Sequence, residues 1–267
     1  MEEILIRVKH ALSIILYFTG FNFLINRFIK KMHGDMASLN ILCYHSISEQ
    51  QSSMFEHQMN YLLEHNYHFI SGKQLIELLT TPDKFDNHFK YICLTFDDCY
   101  EDNYTIVRQI LLRKKIPAIF FAVSSKLGQV ADWDNNCDKQ RIMTVEQLKE
   151  MAKSFDIGAH TQNHIKLGEA EPEIVLSEIK NSKKQLSDIL NKEVTLFAYP
   201  NGSYNTEAIK YISQFQFKAA FTVEQHTNYS YKERYTLGRY VIYPDNFLDF
   251  KLKVMGGYDW YFFKSPF

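Results

Sequence analysis

The 267-residue chain contains no G-x-G-x-x-G fingerprint, P-loop or Cys-x-x-Cys pair, and its 30 Lys+Arg are matched by 31 Asp+Glu. The missing glycine motifs leave no sequence ground for a nucleotide site. A formal net charge of −1 lacks the basic surplus that phosphate-backbone binding draws on, which excludes nucleic acid as the expected partner. Without Cys-x-x-Cys spacing, Cys43, Cys93, Cys99 and Cys137 read as reduced thiols, since a disulfide framework is rare in so long a chain. A Cys43–Cys93 bridge between neighbouring strands is the alternative. There is also no internal repeat, low-complexity tract or interdomain linker. With 46% hydrophobic and 23% charged residues, the composition excludes a disordered or collagen-like chain. What is abundant is aromatic: 21 Phe and 17 Tyr, which can fill a core, line a sugar-binding cleft or touch a membrane.

The longest uncharged run, Ala11 to Asn26, amounts to about 24 Å as a helix, short of the ~30 Å of a hydrocarbon core. Arg7, Lys9 and His10 bracket it on one side and Arg27, Lys30 and Lys31 on the other. Polar residues fall on one narrow stripe of this helix, a pattern suited to lying in a membrane interface. A helix packed on the domain's own core is the other reading. Glu2, Glu3 and the missing A-x-A-like site fit a cleaved signal peptide poorly. The expected division is 1–36 as a membrane-associated or packing helix and 37–267 as the catalytic domain. The expected localisation is membrane-associated in the cell envelope, with the cations after the run favouring the cytoplasmic face.

From Leu39 onward, eight short apolar runs (39–45, 68–71, 91–96, 118–123, 156–160, 194–198, 218–223 and 237–242) alternate with amphipathic helical stretches. Ser71 with Gln74 and Thr144 with Gln147 form capping-box signatures at two helix starts. Continuous apolar strands between helices predict an α/β fold of parallel strands closed into a barrel, with an open doubly wound sheet as runner-up.

In such a barrel the chemistry gathers where strands end. Here the ends carry His45, the pair Asp97-Asp98, His160 and His164, and the turn Tyr199-Pro200-Asn201-Gly202. Two histidines four residues apart and one carboxylate make a three-ligand metal site with a position left for water. Isolated HxxxH pairs are often solvent-facing, but adjacent carboxylates without a basic neighbour call for a cation or hydrogen bonds.

The segments LTFDDCYEDNY, IPAIFFAV, DIGAHTQNHIKL, FAYPNGSYN and LGRYVI, in this order, resemble the polysaccharide deacetylases, the NodB-homology domain of carbohydrate esterase family 4. The early YH motif resembles the permuted branch that deacetylates poly-N-acetylglucosamine. The resemblance implies a distorted (β/α)7-type barrel and a divalent metal, zinc, on Asp98, His160 and His164. It further implies Asp97 as general base, His45 as general acid, and Tyr199, Pro200 and Asn201 as the substrate and oxyanion turn. Arg239 stands where it can set its charge beside Asp97, because Ala198 replaces the family's usual Arg; a surface ion pair is the alternative.

Cys99 replaces the commoner Gly after the Asp pair and is not counted as a ligand. Asn201 replaces a frequent aromatic, and Val145 a frequent Trp. Trp133 lines the cleft or is structural. The expected function is removal of N-acetyl groups from amino sugars of a glycan or lipid-linked glycan. The rivals are a deacylase or deformylase of a small or lipid-carried sugar, an inactive glycan-binding module and a membrane-attached structural partner in an export assembly.

Overall fold

A computed structural model describes residues 2–32, 37–133, 140–228 and 233–262. Cys137 and the expected boundary after residue 36 fall outside them. Two helices, α1 (Glu2–Phe18) and α2 (Phe21–Met32), precede the first strand. The chain then runs β1 (Ser38–Tyr44), α3 (Glu49–Glu64), β2 (Tyr67–Phe69), α4 (Gly72–Thr80), β3 (Lys90–Phe96), α5 (Arg108–Lys114), β4 (Ile119–Ala122) and α6 (Val145–Met151). It continues with β5 (Asp156–Ala159), α7 (Pro172–Leu190), β6 (Leu196–Ala198), α8 (Thr206–Gln214), β7 (Ala219–Phe221), β8 (Tyr240–Val241), α9 (Phe247–Val254) and α10 (Asp259–Phe262). All eight apolar runs contain a strand, and both expected capping boxes are formed.

Every ladder is parallel, in the order β7-β6-β5-β4-β3-β1-β8, with β2 beside the start of β3 and off this path. One chain segment draws the two edges together. Leu237 exchanges backbone hydrogen bonds with Ala220 and Thr222 next to β7, and three residues later β8 pairs with Leu42 and Cys43 of β1. The sheet is therefore curled into the expected distorted barrel rather than left as an open doubly wound sheet.

The strands are apolar on both faces because both faces are covered. Leu39, Ile41, Cys93, Ile119 and Phe121 fill the barrel interior with Leu75, Leu78 and Leu79 of α4. The alternate residues Leu42, Tyr44, Ile92, Leu94, Phe96 and Phe120 pack outward under the helices. The Gly72 amide at the start of α4 donates to the Asp156 carboxylate at the start of β5 (2.8 Å), which fixes α4 across the N-terminal mouth of the barrel. The opposite rim is left for chemistry. Cys43, Cys93 and Cys99 are free thiols, so the Cys43–Cys93 alternative is ruled out.

The N-terminal segment differs from a single helix. Gly20, at φ 76°, breaks it in a conformation that costs glycine no side-chain clash, and the two helices bend by 100°.

Candidate active site

The residues just past β3 turn sharply. Asp98 (φ 68°) and Cys99 (φ 56°) both adopt left-handed backbone, at a cost of roughly 1–2 kcal/mol for each residue bearing a Cβ. This turn sends the two adjacent carboxylates to different partners and buries the Cys99 thiol in the core, away from the rim.

Asp98 faces the histidines that follow β5. Its Oδ1 lies 3.6 Å from His160 Nε2 and 3.3 Å from His164 Nε2. Ligands of a tetrahedral ion with bonds of about 2.1 Å stand about 3.4 Å apart, so the donor set and its spacing fit a divalent metal. The His160 ring is held by a 2.8 Å hydrogen bond between Nδ1 and the Ala198 carbonyl, which fixes the tautomer and leaves Nε2 toward the cluster. Burial lowers the pKa of His160 to about 4, and burial followed by the neighbouring His160 lowers that of His164 to about 2. Both imidazoles are thus neutral at working pH, the state a ligand needs.

The loop that carries them is itself supported. Thr161 (φ 63°) and His164 (φ 59°) are left-handed, and the His164 amide donates to Thr161 Oγ1 at 2.9 Å. Glu178, buried in α7, accepts the amides of Gln162 (2.9 Å) and Asn163 (2.8 Å) and the Asn163 side-chain amide (2.6 Å). Trp133 stacks on the His164 ring with centroids 4.2 Å apart.

Asp97 points into the barrel toward Arg239. The guanidinium donates to both carboxylate oxygens at 2.7 Å, to Thr95 Oγ1 at 3.1 Å and, through Nε, to the Thr222 carbonyl at 2.8 Å. It is fully buried between the Phe121 and Phe221 rings, so the surface-pair alternative does not hold. Burial acts to raise the pKa of Asp97, but Arg239 and then His160 outweigh it and hold the carboxyl well below the usual carboxylate range. The Cys43 thiol donates to Asp97 Oδ2 at 3.5 Å.

His45 joins this side of the site, where a ring nitrogen, Cys43 Sγ and an Asp97 oxygen lie within 4.8 Å of one another. Asn103 holds the His45 carbonyl (2.9 Å) and Asp102 Oδ1 (2.8 Å), and Ser46 Oγ donates to Asp102.

In the turn after β6, Asn201 is exposed and left-handed (φ 54°), and Pro200 is buried beneath it. Tyr199 corrects an expectation. Its side chain is fully buried against Phe197 and Tyr204, with its hydroxyl bonded to the Tyr235 carbonyl at 3.0 Å, so it supports the turn from the core and does not line a cleft. The fold thus gathers Asp97, Asp98, His160, His164, His45 and Arg239 on one rim. Sequence reasoning missed Glu178, Asn103 and the contact made by Cys43.

With this geometry in hand, residues 84–220, about half the chain, match the family model described as polysaccharide deacetylase. The chain belongs to the polysaccharide deacetylase family. It is a hydrolase of that type. YxkH, a polysaccharide deacetylase homologue of Bacillus subtilis, is 30% identical over 214 residues, covering 78% of this chain and 72% of its own. A poly-beta-1,6-N-acetyl-D-glucosamine N-deacetylase of Staphylococcus aureus is 26% identical over 213 residues, covering 76% of this chain and 70% of its own. Among solved structures, the fold matches IcaB from Ammonifex degensii with a TM-score of 0.72 at 21% identity, covering 83% of this deacetylase and 97% of that chain. It also matches the Streptococcus pyogenes deacetylase PplD in complex with acetate, with a TM-score of 0.70 at 24% identity, covering 82% and 99% of the two chains.

Proposed function

We propose that this enzyme removes N-acetyl groups from N-acetylated amino sugars of a glycan, using a zinc ion held by Asp98, His160 and His164. The observation that carries the reading is the three-ligand cluster at tetrahedral spacing with an Arg-paired carboxylate against it. An ion bound there supplies Lewis acidity toward the amide carbonyl and brings the pKa of a water to about 7. Asp97 takes a proton from the attacking water, and Arg239 beside it favours the anionic form that a base needs. The Asn201 amide donates to the oxyanion as the carbonyl carbon becomes tetrahedral. His45, beside Asp97, hands a proton to the departing nitrogen as the C–N bond breaks. One water is consumed, and acetate and a free amine leave.

The substrate reading takes its support from the Staphylococcus aureus relative, which acts on poly-β-1,6-N-acetylglucosamine, and from a near-neutral chain suited to an uncharged acetylated sugar. The test uses β-1,6-linked N-acetylglucosamine oligomers, with acetate release followed before and after chelation and zinc return. Asp97→Asn is expected to keep stoichiometric metal while losing about 10²–10⁴-fold in kcat. Release of formate or a longer acid from other sugars instead of acetate overturns the acetyl reading. Activity indifferent to chelation overturns the metal.

A further inference from the structure

We propose that α1 and α2 form a binding surface for an anionic lipid bilayer, with one side of the pair docked on the barrel and the other lying in the membrane interface. The inference stands apart from the metal and substrate readings.

The docked side is built from specific contacts. On α1, His10 bonds to the Tyr258 hydroxyl, Ser13 Oγ accepts the Trp260 indole N–H at 2.9 Å, and Ile14 and Tyr17 pack on the main core. On α2, Asn26 donates to the Met255 carbonyl at 2.6 Å and Ile29 is buried. The helices are therefore held in a defined pose on α9 and α10. That pose is at the N-terminal end of the strands. The carbonyl of Val254, next to Met255, accepts from Asn40 near the start of β1 and from Tyr67 at the start of β2. The metal cluster lies at the opposite rim.

The outward side is apolar. Val8, Leu12, Ile15 and Phe18 recur at helical spacing on α1, on the face away from His10, Ser13 and Tyr17, and are 42% to 71% exposed. Phe21, Leu24 and Phe28 continue the surface on α2. Eight of the fifteen exposed large hydrophobic residues among the described residues lie on these two helices, which makes this a concentrated patch rather than scattered exposure.

Charge selects the occupant. Across α1 and α2 the sequence has Arg7, Lys9, Arg27, Lys30 and Lys31 against only Glu2 and Glu3, at the far start of α1, in a chain whose net charge is −1. Arg27 and Lys31 are exposed beside the aromatic residues. Apolar side chains interleaved with cations suit anionic headgroups over an acyl boundary. Among the described residues no single helix is long and apolar enough to cross a membrane, and the 100° bend lets both helices lie along one.

The test is flotation of the full-length protein with vesicles of phosphatidylcholine alone or mixed with phosphatidylglycerol. The wild type is expected to float with the mixed vesicles and to bind them several-fold more tightly than the neutral ones. Ile15→Ser with Phe28→Ser, both at exposed positions, is expected to weaken binding about tenfold or more. Arg27→Glu with Lys31→Glu is expected to abolish the preference for anionic lipid. In all variants acetate release from a soluble oligomer should equal wild type, because the surface is remote from the site. No flotation, or flotation unchanged in both variants, overturns the proposal. So does binding that resists alkaline carbonate, which would mark a spanning segment, or an apolar variant that only converts a dimer to a monomer.

Discussion

Arg239 grips Asp97 with two hydrogen bonds of 2.7 Å at a point where both side chains are buried. The pair is one charge-neutral unit, and its forked geometry sets the direction in which the carboxylate presents its remaining lone pairs to the rim. Lysine would keep the charge but not the fork, nor the further bonds to Thr95 and Thr222. Arg239→Lys is therefore expected to lose about 10²-fold in kcat from misaimed proton transfer, with metal content unchanged. Arg239→Met leaves the Asp97 charge buried without its cation, at a stability cost of about 3–5 kcal/mol in urea unfolding. Wild-type kcat in Arg239→Lys would show that the fork does not aim the base.

The metal-free protein should be sensitive to mild acid. His160 and His164 stay neutral in the fold because burial lowers their pKa to about 4 and about 2, whereas in the unfolded chain they titrate near 6.5. Between these values the unfolded state binds more protons, so stability rises with pH across the window and is lost as pH falls from about 6.5 toward 4. His160 alone accounts for a loss on the order of 3 kcal/mol over its full window. Asp97 has the same sign at lower pH: its lowered pKa stabilises the fold above the unfolded value near 3.9, and that contribution is lost below it. The check is the Tm of chelator-treated protein at pH 7 and pH 5. A clear drop is expected, and a smaller one in His160→Gln. Equal Tm values at the two pH values would contradict the buried neutral state.

Much of this was readable in the sequence because the apolar runs are buried on both faces, so period and length alone marked eight strands, and strand ends marked the rim. The rest was hidden for physical reasons. Helix α9 has no clean apolar stripe, because its buried side includes Asp249 and Lys253, paired with each other at 2.6 Å. Tyr199 at a strand end reads the same whether its ring faces a cleft or the core. Helix α5 is preceded by a π-helical turn over Asn103–Val107, at the residue that holds His45, and apolar periodicity does not distinguish such a turn from an α-helical one. The Ser48 amide also donates to Gln51 at the start of α3, but the buried apolar residues of that helix begin only at Phe55, well past the first turn, so the cap and the apolar period do not adjoin in the sequence.

Glu178 is the least legible of these residues and offers the sharpest test. It lies fourteen residues after His164 on an amphipathic helix with other acidic residues, and nothing in the sequence singles it out. In the fold its carboxylate accepts two successive amides and the Asn163 side chain, and so clamps the strained loop between the two histidines. Glu178→Gln can still accept both backbone amides through its carbonyl oxygen. Its NH₂ then meets the NH₂ of Asn163, donor against donor. Zinc affinity should weaken about 10–100-fold, the range for groups that orient ligands from behind. Adding Asn163→Asp supplies an acceptor for that NH₂ and should restore affinity to within a few-fold of wild type. Competition with a chromophoric chelator measures the affinity, and the visible spectrum of the cobalt-loaded protein reports ligand geometry independently of turnover. A merely structural role for Glu178 would lower Tm without moving the cobalt spectrum. A double variant that folds but binds zinc no better than Glu178→Gln would remove the clamp as the cause.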